Sequence, residues 1–383
     1  MSEKQYNLFV TFSYIFNFII SATLLLVNID KESSVLNLAS NLGVALSMFS
    51  YFYDIWLHRM RRDHIIASIA IIALVLFKFI IGDAFTFDRM ILHLLLYYPT
   101  MNRLDRIFLR RVFWYKIIFI FAVVFGSKLG LIQDQVYSKV TTAGEIHSLG
   151  FINGNAAGVV VFSALLDLVI LNVHNTKKTL GITIGLFVAG FLNYQLTYSR
   201  TALLMSIAIA TIYLFKKVLL RHMVSGVKVA MLQMLIVVAN LLLALNYDPN
   251  VTWMSLINRV VSGRLNLSHI YLSVYGLNWM PQIVTRYKYL RAWDSLDYYL
   301  DNYWVGFFIK NGILYCSIFA VLMFLLLQGK RFNLYMLLLI SVCYIYLSME
   351  SVEYNIFLFT PLLFSLMSSL SFEKYKDMVV LND

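Results

Sequence analysis

Charge is what this chain has least of. Only 13% of its 383 residues are Asp, Glu, Lys or Arg, against 60% hydrophobic and 16% aromatic, too little polar surface to wet a soluble globule of this size. Lipid is the solvent that such a composition needs. Proline is rare as well, four in all, and no linker, low-complexity stretch or short repeat divides the chain. The two cysteines, Cys316 and Cys343, both lie inside apolar segments, which favours packed thiols over a disulfide or metal ligands. A G-x-x-x-x-G-K-[ST] loop, an H-E-x-x-H pair and a Cys/His cluster are all missing, so ATP hydrolysis and zinc chemistry have no local support and no cofactor is expected.

What is present is a succession of apolar runs. A helix needs about 20 apolar residues to cross the hydrocarbon core, and candidate spans fall at about 8–27, 34–57, 65–82, 84–101, 112–131, 156–173, 179–196, 200–215, 229–246, 303–327, 332–348 and 354–372. The expectation is an all-α polytopic membrane protein of about 12 transmembrane helices, with residues 1–383 as one integral membrane domain. The fourth run is the weakest, because Asp88 and Arg89 cut into it and Pro99 lies near its end. The first is too long for a cleaved leader and no small-residue cleavage site follows it, so residue 1 is expected in the mature protein.

The net charge of +11 lies between spans, which points to membrane topology and away from a nucleic-acid partner. Alternate loops are basic: Arg59, Arg61 and Arg62; Arg103, Arg106, Arg110 and Arg111; Lys177 and Lys178; Lys216, Lys217 and Arg221; Lys330 and Arg331; Lys374 and Lys376. Lys and Arg beside a span resist translocation, which puts these loops and both termini in the cytoplasm. The two longest connections, about 132–155 and about 247–302, then face outward, and the second is a candidate extracytoplasmic loop subdomain.

With that orientation every even-numbered helix starts at the outer face, where unpaired amides and the helix dipole suit anions. Three such starts carry unusual sequence. Before the sixth span, the segment from His147 through Gly150, Asn153 and Asn155 to Gly158 joins the turn dipeptide Asn153-Gly154 to Asn155, a good N-cap. It reads either as a phosphate cradle or as an ordinary capped helix. His147 reads as a surface histidine or as a reserve base. Before the eighth span, Tyr198-Ser199-Arg200-Thr201 places Arg200 at the membrane border, where a guanidinium either offers a planar fork to a diphosphate or snorkels to headgroups. Before the tenth, Asp301-Asn302-Tyr303 offers Asp301 as a base for a hydroxyl or as a helix cap. Arg259 and Arg264, the latter in Ser262-Gly263-Arg264, lie in a loop with little other reason to be basic. Glu350 and Glu353 read as a solvated acidic turn, and the intramembrane Asp54, Lys78, Lys116, Asp167 and Lys310 as interior-facing or snorkelling groups without a catalytic role.

Taken in order from about His147 to about Glu353, these segments resemble the O-antigen and capsular repeat-unit polymerases of the Wzy type, relatives of the O-antigen ligases. The resemblance rests on Gly150, Asn153, Asn155 and Gly158, on Tyr-Ser-Arg-Thr, on Ser-Gly-Arg, and on Asp-Asn-Tyr followed by Gly312. It implies a GT-C-like glycosyltransferase of the bacterial cytoplasmic membrane, acting at its outer face. Such an enzyme moves a growing glycan from undecaprenyl diphosphate onto the sugar of an incoming undecaprenyl-diphosphate-linked oligosaccharide. The resemblance further implies membrane lipid, a chain-length regulator and a flippase as partners. Arg200, Arg264, Arg259 and Asn155 would hold the diphosphate, and Asp301, with His147 in reserve, would serve the acceptor hydroxyl. Ligases commonly carry His-Asn where this chain has Asp301-Asn302, a departure that favours polymerase; a ligase and a lipid-linked oligosaccharide flippase or other transporter are the alternatives.

Overall fold

The computed structural model describes residues 3–29, 33–82, 89–138, 145–175, 178–284, 287–288, 297–298, 300–350 and 352–379. Helix accounts for 77% and strand for 3%, so the expected all-α class holds. The helices are α1 (Glu3–Leu26), α2 (Ser34–His58), α3 (Arg62–Ile81), α4 (Arg89–Tyr97), α5 (Arg106–Lys128), α6 (Gly154–Leu171), α7 (Thr179–Thr197), α8 (Arg200–Leu214), α9 (Lys216–Leu219), α10 (Gly226–Leu245), α11 (Thr252–Val260), α12 (Arg264–Tyr275), α13 (Tyr303–Leu327), α14 (Leu334–Met349) and α15 (Phe364–Val379). Among the described residues, seven of these (α1, α2, α3, α6, α7, α10 and α13) are long and apolar enough to cross a membrane. The apolar α8 and α14 have 15 and 16 residues, short of the roughly 20 a full crossing needs.

Burial sorts the bundle into a centre and a rim. The most apolar window of α6 is 78% buried, whereas those of α3 and α7 are 22% buried and leave Phe79, Ile80, Phe187 and Phe191 exposed. Apolar side chains on an outer face are what a helix bundle presents to lipid. The loops expected on the cytoplasmic side do meet on one face: Arg61 donates to the Pro99 carbonyl at 3.0 Å, Arg62 to Gln328 at 2.8 Å, and Lys330 pairs with Asp63 at 2.9 Å. There β3 (Met223–Ser225) and β6 (Arg331–Asn333) pair antiparallel, Met223 opposite Asn333. On the opposite face, the expected outer one, β1 (Val136–Ser138) pairs with β2 (Glu145–His147), Val136 opposite His147; β4 (Tyr287–Lys288) and β5 (Asp297–Tyr298) form a third pair. From the expected outer loop, Tyr247, Leu265, Tyr271 and Leu272 pack on Ala244 of α10 and on Val305 and Ile309 of α13.

Two expected spans differ from a continuous helix. Within 84–101 the described helix covers only Arg89–Tyr97, followed by a turn through Pro99 and a short 3-10 turn at Met101–Arg103. Within 354–372, the chain from Tyr354 to Leu363 is fully buried but forms only turns and a 3-10 segment at Thr360–Leu362, and α15 begins after it. Pro361 and the side chain of Asn355, which accepts from the amides of Phe357 and Leu358 at 2.9 and 3.1 Å, take the place of helical bonding. The freed carbonyls find other donors: Ile356 accepts from Tyr14 at 2.6 Å, and Leu358 from Ser163 at 2.6 Å and Lys116 at 2.9 Å. Lys116 also pairs with Asp167 at 2.8 Å and donates to Thr360 at 3.2 Å, so its three protons are used. Irregular backbone at membrane depth persists only where protein satisfies it in this way.

A third interruption lies in α13. Gly312 has φ 77° and ψ 164°, and a Cβ there would sit 2.6 Å from the backbone of Met280. The stretch 278–282 fills the gap. Ile313 and Leu314 donate to the carbonyls of Asn278 and Trp279 at 2.9 and 3.1 Å, and Gln282 donates from its amide to Lys310 and from its side chain to Ile309, both at 3.0 Å.

Candidate functional site

The expected outer face gathers its polar side chains around Arg264. The turn from α11 into α12 passes through two left-handed residues, Ser262 at φ 58° and Gly263 at φ 84°, and places Arg264 as the first residue of α12 with only 9% of its side chain exposed. Its Nη2 donates to Glu350 Oε1 at 2.9 Å and its Nη1 to Thr201 Oγ1 at 3.4 Å. Its Nε lies 3.4 Å from Asp301 Oδ2, close enough for ion pairing but without hydrogen-bond alignment, so one buried donor is left unused. Asn155 donates to the other oxygen of Glu350 at 3.4 Å. Five separate parts of the chain thus meet: the start of α6, the start of α8, the start of α12, the residues just before α13 and the end of α14.

Local capping explains why these side chains are free to converge. Asn153, not Asn155, is the N-cap of α6: its backbone is extended and its side chain accepts from the Ala156 amide at 2.8 Å. That corrects the expected role of Asn155, which sits in the first turn and reaches Glu350. Asn302 caps α13 by accepting from the Val305 amide at 3.2 Å, which leaves Asp301 to face Arg264. Ser199 caps α8, and Gly158 allows α6 and α8 to start side by side, since a Cβ there would fall 2.6 Å from the Ser199 Cβ. Burial pushes the Asp301 carboxyl above the ordinary carboxylate range, with Arg264 pulling the other way.

The remaining expected residues fall outside this contact set. Arg200 is the residue before Thr201, exposed, and without an ion-pair or hydrogen-bond partner among the described residues. Arg259 is exposed at the end of α11 and likewise lacks such a partner among the described residues. His147 pairs through Nδ1 with Asp134 at 2.7 Å, and the Leu149 amide donates to the same carboxylate at 2.8 Å. Burial opposes ionisation of Asp134, but these hydrogen bonds and the one from Ser148 hold its carboxyl below the usual range.

Glu350 is the residue that sequence reasoning misread. A solvated acidic turn was expected, yet the side chain is 5% exposed and carries the ion pair that fixes Arg264. A signal was available, because a carboxylate next to the end of an apolar run is costly unless a cation meets it. An apolar cavity of about 200 Å³ between α3 and α13, lined by Ile66, Leu74, Tyr315 and Leu322, shares no residue with the cluster.

Comparison of the chain with protein-family models, with curated proteins and with solved structures finds no match. The class that can be stated from the fold is a helical protein with several apolar helices suited to a membrane.

Proposed function

We propose that the chain is a membrane glycosyltransferase of the polysaccharide-polymerase kind, working on undecaprenyl-diphosphate-linked repeat units at the outer face of a bacterial cytoplasmic membrane. The observation that carries this reading is the meeting of Arg264, Asp301, Glu350, Asn155 and Thr201 at one place, with the exposed Arg200 next in sequence to Thr201. Arg200 and Arg264 neutralise the diphosphate of the donor, whose negative charge grows as it leaves. Asp301 takes the proton of the acceptor hydroxyl while that oxygen bonds to the anomeric carbon of the donor sugar. The bond from that carbon to the diphosphate breaks, and the carrier lipid leaves with the electron pair. Burial, which raises its pKa, makes Asp301 a stronger proton acceptor than an ordinary carboxylate. Glu350 holds Arg264 in place and Asn155 holds Glu350.

The test is elongation of a lipid-linked repeat unit by the purified protein. Arg200→Gln, Arg264→Gln and Asp301→Asn should each abolish long products, and normal chain length with all three would remove the assignment. Loss of the protein in a polymer-producing strain should leave single repeat units. Long chains retained on the carrier lipid would identify a ligase.

The alternative of a transporter is favoured by one set of features. The interruptions at Gly312 and at 354–363, with the buried Lys116–Asp167 pair beside the second, are features that transporters use near the bilayer midplane. Movement of labelled lipid-linked oligosaccharide across vesicles without elongation would establish that reading instead.

A further inference from the structure

The segment between α10 and α12 holds a helix whose surface divides into three. One side of α11 carries Met254, followed beyond the helix end by Val261, and both pack on the small core that contains Tyr247, Leu265 and Leu272. Asn258, on the same side, locks the helix to its neighbours: it donates to the Tyr247 hydroxyl at 3.0 Å and accepts from the Asn266 amide at 3.0 Å. A second side carries the exposed polar residues Thr252 and Arg259. The third carries Trp253, Leu256, Ile257 and Val260, which are 50%, 60%, 36% and 57% exposed. Their spacing of i, i+3, i+4 and i+7 makes one continuous stripe.

A water-facing helix held this firmly would have no use for four exposed apolar side chains, and the surroundings say what covers them. The helix follows the end of α10, where Leu242 and Leu245 are also exposed, 53% and 40%. In sequence the stripe follows directly on the apolar rim of the spans. Trp279 and Ile283, 71% and 70% exposed, lie in the neighbouring stretch, which packs on the same small core through Leu277 and Val284. A tryptophan on the stripe and an arginine at its polar edge are the residues that seat a helix at the boundary of headgroups and acyl chains.

The geometry points to α11 as an in-plane helix embedded in the outer leaflet, its stripe among acyl chains and Arg259 on a lipid phosphate. This inference does not rest on the polymerase reading. It gives Arg259 a role apart from the Arg264 cluster. It also gives α11 a purpose, since Arg264 follows Arg259 by five residues through the Ser262-Gly263 turn, and the depth of α11 fixes the height of that guanidinium above the bilayer.

The experiment uses the full chain in phosphatidylglycerol vesicles, with a nitroxide placed at Leu256→Cys, Val260→Cys or Thr252→Cys. The native Cys316 and Cys343 are buried, and the unsubstituted protein is the labelling control. Labels at 256 and 260 should collide with oxygen more than with a water-soluble nickel chelate, and the label at 252 should do the reverse. Water-like collision at 256 and 260 overturns the proposal. Dipolar broadening at 256 that disappears on dilution with unlabelled protein also overturns it, by assigning the stripe to a second copy. In the Arg259 arm, exchange of phosphatidylglycerol for a phosphate-free diglycosyl diacylglycerol should make the label at 256 shallower, and Arg259→Gln should remove that dependence. Dependence that survives the substitution refutes the phosphate contact.

Discussion

Two carboxylates at opposite faces of the bundle differ in how closely they are enclosed. At the face expected to be cytoplasmic, Asp54 is fully buried and ringed by Tyr6 and His58 at 2.8 Å, His64 at 2.8 Å, Arg61 at 2.7 Å and Arg103 at 3.6 Å. Three helices and the turn before α5 are tied through one carboxylate. At the other face Asp301 keeps 32% of its side chain exposed and meets one cation at a longer distance, Arg264 Nε at 3.4 Å. A carboxylate enclosed by donors holds a structure together, and one left partly open and loosely held can exchange a proton with a ligand. The comparison teaches that burial of charge alone does not mark a working site; an accessible, loosely held carboxylate does.

The comparison can be broken by substitution. Asp301→Asn preserves shape and should lower elongation of a lipid-linked repeat by roughly 10²–10⁴-fold, the usual worth of a general base, with little change in melting temperature. Asp54→Asn should behave in the opposite way, costing about 3–5 kcal/mol of stability because Arg61, Arg103 and the buried His64 lose the carboxylate they share, with activity per folded molecule retained. Thermal unfolding in detergent beside the elongation assay reads both, and interchange of the two outcomes would refute the contrast.

Acidity sharpens it. Asp301 must be ionised to accept a proton, and burial raises its pKa, so activity should fall on acidification through a range above that of an ordinary carboxylate. Arg264→Gln removes the opposing pull and should move the acid limb of whatever activity remains to higher pH; a limb that stays in place would separate Asp301 from catalysis. The smallest effect is expected at Gly312→Ala, where a positive φ and the Met280 backbone resist a methyl group. A loss of about 1–3 kcal/mol is expected, as for a residue forced into a sparsely populated backbone region, and no change in stability would mean that α13 straightens freely.

Much of this was legible beforehand because composition and hydropathy report directly on solvent. Leu8–Val27, for instance, is an apolar run without charge and lies almost wholly within α1. The pairing of Arg264 with Asp301 follows from two motifs 37 residues apart that were both placed at the same face. Glu350 escaped because a carboxylate in a short loop looks solvated until its partner across 86 residues is known. The interruption at 354–363 escaped for a different reason: hydropathy weighs side chains and is blind to where backbone hydrogen bonds go. Asn355 and Pro361 were the local hints.

The buried, non-helical stretch from Tyr354 to Leu363 constrains how the polypeptide is made. Its carbonyls cannot enter hydrocarbon alone, and the groups that receive them, Tyr14, Lys116 and Ser163, are contributed by α1, α5 and α6. The order of folding is constrained accordingly: the segment can settle only once α1, α5 and α6 are in place to receive it.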